Sequence, residues 1–297
     1  MYIGVMLSAF AKKFYGKSFG KLSSVEMEDT VSRGIKWLLE HKLNCGEFLI
    51  DNVNVMEMLS KILVKYDKII FIIHEWYCEK LAIKSSEQRI IYLDSAKRII
   101  ELASDVNVRS ITIHPSYFYP PSDEYLMREK ALNSLERDEA WKISIRFLKE
   151  LSKYALKNEI YLGIENMELY SYENGVKKLF PAFGRTIYEL SEILSLVGYD
   201  SLKITFDVGH ANIGGNPVSF LEKIFPQIVH IHLHDNNGLR DLHAPLGSGT
   251  IDFKTIFKII RENNYSGTMI VERSIDDNIL NDINFMKKML GLSGDNI

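Results

Sequence analysis

Residues 228–235, IVHIHLHD, decide the fold, because they combine the pattern of a buried strand with a polar ending. Side chains of a strand alternate between its two faces, so His230, His232 and His234 share one face and the aliphatic residues between them share the other. Imidazoles on the inner face of a strand are typical of the mouth of a barrel. We expect His232, near the strand end, to be a metal ligand, whereas His230 and His234 also fit hydrogen-bonded core positions.

Other hydrophobic segments end in the same way, with a histidine or a carboxylate where the strand gives way to a loop. They are IIFIIH at His74, SITIH at His114, YLGIE at Glu165, LKITFD at Asp207 and MIVE at Glu272. The carboxyl ends of parallel strands converge on one face, so these side chains are expected to meet in space. Imidazole nitrogens and carboxylate oxygens are ligands for zinc, manganese and iron. The pattern predicts a metal site at the mouth of a parallel barrel.

Strand and helix patterns alternate along the whole chain. Strands are predicted at residues 2–7, 45–50, 68–73, 109–113, 160–164, 202–206, 228–233 and 268–271. Amphipathic helices fill the intervals, as at 55–66 and 86–104. Eight strands, each followed by a helix, predict an α/β fold of the (β/α)8 TIM-barrel type, with residues 1–297 as one domain. The longest segments predicted to lack helix follow strands, and so lie on the same face as the proposed ligands: 8–23, 115–125, 166–184 and 234–250.

Composition fits an enzyme of the cytoplasm. The 297 residues are 46% hydrophobic and carry a formal charge of −3, which gives no global attraction toward nucleic acid. Cys45 and Cys78 provide neither a disulfide framework nor a zinc-binding cysteine pair, so a reducing compartment is expected. The first ten residues predict a strand rather than a signal peptide or a membrane span, which needs roughly 20 apolar residues.

Several polar residues are suited to the predicted centre by their spacing. Asp207 ends a strand, and His210 lies three residues later, so both can reach one side of a pocket. Glu165 and Glu272 end strands that are otherwise apolar, and a buried carboxylate needs a cation or a hydrogen-bond network to compensate it. Asp241-Leu242-His243 has a chelating spacing in the loop that follows the histidine-rich strand. Taken alone, Asp207 also fits a helix cap, although its position beside His210, His232 and Glu272 favours the pocket. An Asp-x-His spacing in a polar loop, taken alone, faces solvent more often than not.

The segments LGIENME, ITFDVGHAN, VHIHLHDNNG, DLHAPLGSGTIDF and VERS together resemble the xylose isomerase-like TIM-barrel superfamily. That superfamily contains sugar isomerases and epimerases as well as endonuclease IV. By resemblance to the epimerases, a single metal would be held by Glu165, Asp207, His232 and Glu272, with His210 beside the substrate. The larger ligand set of endonuclease IV, which holds three zinc ions, also finds a match at every position: His74, His114, Glu165, Asp207, His210, His232, Asp241, His243 and Glu272.

Two loops favour the sugar-enzyme branch. The segment 46–52, GEFLIDN, is acidic and aliphatic, whereas endonuclease IV carries basic and aromatic residues there that enter DNA. The loop after the histidine-rich strand looks more like that of sugar phosphate isomerase or epimerase members. Tyr77 supports the other branch, because it matches an aromatic residue that endonuclease IV pushes into the duplex.

The resemblance implies a metal-dependent isomerase or epimerase of a small sugar, polyol or sugar phosphate, acting through a metal-stabilised enediolate. One to three divalent ions (Zn, Mn or Co) are expected, with Glu165, Glu272 and His210 as catalytic residues. Substrate contacts are predicted for Arg240, His234, Tyr117 and Trp76. The alternative is an endonuclease IV-like zinc phosphodiesterase acting at abasic sites in DNA. A barrel kept only as a binding module is disfavoured, because no matched ligand is missing.

Residues 115–125, PSYFYPPSDEY, predict a shaped wall at the mouth. Proline fixes φ and removes a donor, so the loop should hold its three aromatic rings in place. Such rings suit sugar faces and stacked bases alike. Asp123 and Glu124, however, would repel a phosphate backbone. We therefore predict a covered pocket for a small carbohydrate rather than a basic DNA groove, and no membrane association.

Overall fold

Eight parallel strands close into a barrel in a computed structural model that describes residues 1–75, 78–122, 124–125, 131–173 and 175–292. This closure confirms the predicted (β/α)8 TIM barrel. The strands are β1 (Tyr2–Met6), β2 (Cys45–Ile50), β3 (Ile70–Glu75), β4 (Val108–Ile113), β5 (Tyr161–Glu165), β6 (Tyr170–Glu173), β7 (Val176–Leu179), β8 (Leu202–Asp207), β9 (Ile228–Leu233) and β10 (Thr268–Val271). The order of the barrel strands is β1-β10-β9-β8-β5-β4-β3-β2, and β6 and β7 form a separate two-stranded sheet.

Helices surround the barrel, and local side chains determine where several of them begin. Ser23 and Glu26 form a reciprocal capping box at the start of α2, and Thr186 accepts the backbone N–H of Glu189 at the start of α6. Gly198 ends α6 at φ 70°, a conformation that glycine adopts without steric cost. The helices are α1 (Phe10–Tyr15), α2 (Ser24–Glu40), α3 (Val53–Leu63), α4 (Ser86–Ser104), α5 (Arg137–Lys157), α6 (Ile187–Val197), α7 (Val208–Ile213), α8 (Pro217–Ile224), α9 (Phe253–Glu262) and α10 (Ile279–Leu290).

Two loops that follow strands contain regular structure that the sequence did not predict. The prediction that residues 8–23 lack helix was wrong, because α1 forms there and packs Phe10 at 5.5 Å, centroid to centroid, against the ring of Trp37. Within 166–184, β6 and β7 form an antiparallel hairpin. Both elements lie at the mouth of the barrel. They therefore add to the wall around the site, and Phe10 and Ala11 of α1 also belong to the hydrophobic core.

The barrel interior is unusually polar near its centre. Thr112 and Thr205 share a hydrogen bond of 3.1 Å, and both are fully buried. Gly163 leaves room for this pair, since a Cβ there would lie 2.2 Å from the hydroxyl oxygen of Thr205. Above this polar layer, the strand ends carry the side chains of the candidate centre.

Among the helices in the described ranges, none has the length and apolar character that a membrane crossing requires.

Candidate metal centre

Three carboxylates from three strands converge on one imidazole nitrogen at the mouth of the barrel. Nδ1 of His232 lies 3.0 Å from Oε1 of Glu165, 3.2 Å from Oε2 of Glu272 and 3.7 Å from Oδ2 of Asp207. His232, Glu165 and Asp207 are almost completely buried. These are the four residues that the resemblance to epimerases implied as ligands of a single metal, and the fold brings them together.

A second group adjoins the first through Glu165. Nε2 of His114 lies 3.0 Å from Oε2 of Glu165, and Nε2 of His74 lies 3.4 Å from the same oxygen. The two imidazoles are also 2.9 Å apart, from Nε2 to Nε2. His74, His114 and Glu165 thus offer three ligand atoms close enough to share one ion.

A third group lies toward the loop that follows β9. Nε2 of His243 is 2.9 Å from Oδ2 of Asp241, and Nε2 of His210 is 3.6 Å from the same oxygen. Nδ1 of His234 lies 3.6 Å from the other oxygen, Oδ1, of Asp241. All nine positions predicted as possible ligands therefore belong to one continuous cluster, which extends from His74 to His243.

Local backbone geometry positions the ligands on β8. Asp207 accepts the backbone N–H of His210 at 2.6 Å and thereby caps α7, so one carboxylate both starts a helix and faces the centre. His210 Nδ1 lies 2.9 Å from the carbonyl oxygen of Asn166, which fixes the ring. Gly209 is required because a Cβ there would lie 1.9 Å from Cε1 of His234. Asp207 therefore caps α7 and contributes to the centre at the same time.

The ionisable groups of the cluster differ in the direction of their pKa shifts. Burial alone would raise the pKa of Glu165, but the imidazoles of His232 and His114 outweigh it and hold that pKa well below its usual range. Burial raises the pKa of Glu272 to about 7 despite the nearby His232 and His243. Burial also lowers the pKa of His74 to about 3. The two carboxylates that face the same imidazole thus differ strongly in proton affinity.

The residues fit a divalent cation by a criterion independent of their type. Among the described residues, four buried atoms of the cluster have no neighbour in hydrogen-bond geometry: His74 Nδ1, Glu165 Oε2, His234 Nδ1 and Asp241 Oδ1. The imidazoles of His114 and His74 lie 3.0 and 3.4 Å from that oxygen of Glu165 without this geometry. A buried polar atom without a partner costs about 1–3 kcal/mol, so a group of them is costly unless something compensates. Imidazole nitrogens and carboxylate oxygens together are a ligand set for zinc, manganese or cobalt.

The predicted substrate contacts fall in different environments. His234 is completely buried, with Nε2 at 3.0 Å from Oδ2 of Asp207 and its ring stacked 4.1 Å from that of His243, centroid to centroid. Arg240 is exposed on the loop after β9. Tyr117 packs its ring 5.7 Å from that of Phe180, and burial together with the charges of Glu79 and Glu168 raises its pKa.

Trp76, also predicted to contact substrate, lies outside the described residues, as do Tyr77 and Asp123.

Two buried carboxylates of the site were missed at the level of sequence. Glu47 is completely buried on β2 and contacts both His230 and His232. Glu168, in the loop after β5, is buried with its Oε2 3.8 Å from Nε2 of His210. The sequence of β2 could have indicated Glu47, because an acidic residue within an otherwise apolar strand requires a buried partner.

A cavity of about 790 Å³ opens beside the centre. Glu272 and His243 form its inner edge, and the loop after β1 contributes Ser8 and Phe19 to its wall. A volume of this size lies within the range that small-molecule sites occupy, about 300–1,000 Å³. The cluster therefore faces a space large enough for a small ligand.

Comparison with known proteins agrees with this geometry. A relative in Methanocaldococcus jannaschii, an uncharacterised protein, is 26% identical over 263 residues, which cover 86% of this chain and 83% of the relative. An inosose dehydratase of Clostridium botulinum (strain Eklund 17B / Type B) is 28% identical over 169 residues, which cover 51% of this chain and 53% of that enzyme.

Solved structures share the fold. A D-tagatose 3-epimerase-like protein superposes with a TM-score of 0.71 at 22% identity, covering 98% of both chains. A D-psicose 3-epimerase superposes with a TM-score of 0.70 at 16% identity, covering 98% of this chain and 100% of the other. The family model described as xylose isomerase-like TIM barrel matches residues 35–289. The chain therefore belongs to the xylose isomerase-like TIM-barrel family.

Proposed function

We propose that the protein is a divalent-metal-dependent isomerase or epimerase of a small sugar, polyol or sugar phosphate. The observation that carries the proposal is the convergence of Glu165, Asp207 and Glu272 within 3.7 Å of Nδ1 of His232. This cluster adjoins a cavity of about 790 Å³. Concave sites with a few convergent polar groups are the usual form of small-molecule centres.

Glu165, Asp207, His232 and Glu272 would hold the cation. It would supply Lewis-acid polarisation of a substrate carbonyl, which makes the neighbouring carbon-bound proton more acidic. Glu165 ends β5 and Glu272 directly follows β10, and these two strands are separated in the barrel order by β8 and β9. A substrate between them would present one face to each carboxylate. One carboxylate would take a proton from carbon and the other would return one, which inverts or relocates the stereocentre.

The named relatives support the same class of chemistry. Epimerases among the structural neighbours and inosose dehydratases among the sequence relatives act on small polyhydroxylated molecules, as their names state. Dehydration next to a carbonyl begins with removal of a carbon-bound proton, as epimerisation does. Dehydration of a keto-polyol is therefore an outcome that the substrate test must also detect.

The test uses exchange of the carbon-bound proton. Purified protein loaded with Mn²⁺, Co²⁺ or Zn²⁺ is incubated in D₂O with ketoses, aldoses, keto-polyols and their phosphates, and deuterium in substrate and product is followed by NMR. We expect incorporation at one carbon, and a loss of about 100-fold or more in Glu165→Gln and Glu272→Gln, since a positioned acid or base contributes about 10²–10⁴-fold. Glu262→Gln on the exposed face of α9 serves as the control and should retain full activity. Absence of exchange with every metal and substrate class would refute the proposal.

A second candidate function rests on a different observation, the continuity of all nine ligand positions from His74 to His243. Three groups of ligands side by side suit a cluster of cations that activates hydroxide and holds both oxygens of a phosphodiester displacement. Endonuclease activity at abasic sites is tested directly with zinc-loaded protein and a duplex that contains one such site. Nicking without proton exchange would select this candidate over the first.

A further inference from the structure

A second polar group lies below the candidate centre, toward the middle of the barrel. It consists of Glu47 on β2, His230 on β9 and Thr268 on β10, and all three side chains are completely buried. Nε2 of His230 lies 3.2 Å from Oε2 of Glu47, and Nδ1 of His230 lies 2.6 Å from the hydroxyl oxygen of Thr268. Nε2 of His232 lies 3.1 and 3.0 Å from the two oxygens of Glu47. His232 therefore belongs to the centre above and is hydrogen-bonded to Glu47, while Nδ1 of His74 lies 3.7 Å from Oε1 of Glu47.

The direction of these hydrogen bonds follows from the chemistry of the partners. A carboxylate only accepts, so both Nε2 atoms that face Glu47 carry protons and donate them. The hydroxyl of Thr268 can then donate to Nδ1 of His230, which leaves every atom of this chain of contacts paired. For His232 the consequence is specific: Nε2 keeps its proton against Glu47, whereas the proton that Nδ1 donates to Glu165 is the one that a cation would replace.

The lower group differs from the centre in one respect that bears on its role. No side-chain atom of Glu47, His230 or His232 is among the buried atoms that lack a hydrogen-bond partner in the described part of the chain. The unpartnered imidazole nitrogen of His74 and the unpartnered oxygen Oε2 of Glu165 lie above this group. A cation would compensate unpaired atoms at the mouth, whereas at Glu47 it would have to displace hydrogen bonds that are already complete.

We propose that Glu47 is a positioning residue, which holds the Nε2 proton of His232 and so presents Nδ1 as a metal ligand. The proposal rests on the proposed function only in requiring a cation at the centre. Carboxylates that accept the second N–H of a ligating histidine fix its orientation and increase its basicity, and their loss typically costs 10–100-fold in metal affinity. Thr268 acts one step further away, because it orients His230 and reaches Glu47 only through that ring.

The test measures Zn²⁺ affinity by competition with a chromogenic chelator for three variants. Glu47→Leu, which has similar volume and no acceptor, should bind Zn²⁺ about 100-fold more weakly than the wild type. Glu47→Gln keeps one acceptor oxygen and should lose about 10-fold. Thr268→Val, which retains the shape of the side chain, should show the smallest loss of the three. Circular dichroism and the melting temperature of the metal-free variants establish that each one folds.

A second measurement uses the wild-type protein and needs no folded variant. In ¹⁵N NMR spectra, Nε2 of His232 should be protonated before and after Zn²⁺ is added, and only Nδ1 should shift on binding. Folded Glu47 variants with wild-type affinity, or Zn²⁺ bound through Nε2, would overturn the assignment. If the wild type takes up none of Zn²⁺, Mn²⁺ and Co²⁺, the metal dependence of the proposed function fails, whereas the Nε2 proton of His232 still tests whether Glu47 holds the ring. An unprotonated Nε2 in that protein would refute the role of Glu47 on its own.

Discussion

Gly209→Ala should destabilise the protein, although alanine normally stabilises a helix relative to glycine. Gly209 lies in α7 with ordinary helical backbone, so the exchange by itself should contribute about 0.5–1 kcal/mol of stability. The added Cβ, however, would lie 1.9 Å from Cε1 of His234 and within 2.6 Å of both ring nitrogens. Ordinary contact begins at 3.4 Å, so the ring must retreat by about 1.5 Å.

The imidazole of His234 has no free direction for that movement. Its Nε2 is held at 3.0 Å from Oδ2 of Asp207, and its ring stacks 4.1 Å from that of His243, centroid to centroid. Forced repacking of this kind costs about 1–3 kcal/mol. Loss of the hydrogen bond to the charged Asp207 costs about 1.5–3 kcal/mol more. After the helical gain is subtracted, we expect the free energy of unfolding to fall by about 2–5 kcal/mol.

The assay is denaturant unfolding of metal-free protein, with Gly214→Ala as the matched control. Gly214 ends the same helix, and a Cβ there would have its nearest neighbour at 3.5 Å, which is ordinary contact. The control should therefore be neutral or slightly stabilised. If Gly209→Ala is as stable as Gly214→Ala, the close approach of Gly209 to His234 does not constrain the centre, and the reasoning is wrong.

Two further predictions concern the surroundings of the centre. Asp282→Ala should cost about 1–3 kcal/mol of stability, because it removes the acceptor of the Leu246 N–H at 2.9 Å and of Arg273 Nη1 at 2.6 Å, while Arg273 keeps its pair with Asp276. Loss of the exposed Lys258–Glu262 pair in Glu262→Ala should leave thermal unfolding unchanged. Metal binding should raise the melting temperature with the logarithm of the ligand excess, since a 100-fold excess over Kd contributes about 2.7 kcal/mol. A chelator should reverse the shift, and equal melting curves with Mn²⁺, Zn²⁺ and chelator would contradict a bound cation.

The sequence predicted the barrel because the periodic apolar runs are intrinsic to each strand. The predicted strand at 228–233 coincides with β9, and that at 268–271 coincides with β10. The third strand was placed at 68–73 but runs from Ile70 to Glu75, so His74 lies within it. Such shifts arise because pairing with β2 and β4 sets the end of a strand, and a single-strand pattern carries no information about register.

The site residues that stand at the ends of strands could be predicted from the sequence. Glu165, Asp207 and Glu272 each stand where an apolar run stops, and the topology brings them together. α1 and the β6–β7 hairpin were not predictable in this way, because each is short and is stabilised by contacts with distant residues. Glu47 was missed for a related reason: its role depends on His230 and His232, about 180 positions away in the sequence.

The buried polar groups of this barrel form two levels, which differ in how completely their hydrogen bonds are formed. Within the group of Thr268, His230 and Glu47, each donor has an acceptor, so these three residues carry no cost of unpaired groups. One level higher, His232 turns its other nitrogen toward carboxylates, and Oε2 of Glu165 has no hydrogen-bond partner among the described residues. The rigid lower level therefore fixes the geometry of an upper level that is costly by itself. The ligand side chains cannot move to pair with one another without breaking the hydrogen bonds of the lower level. This preorganisation therefore favours the binding of a cation.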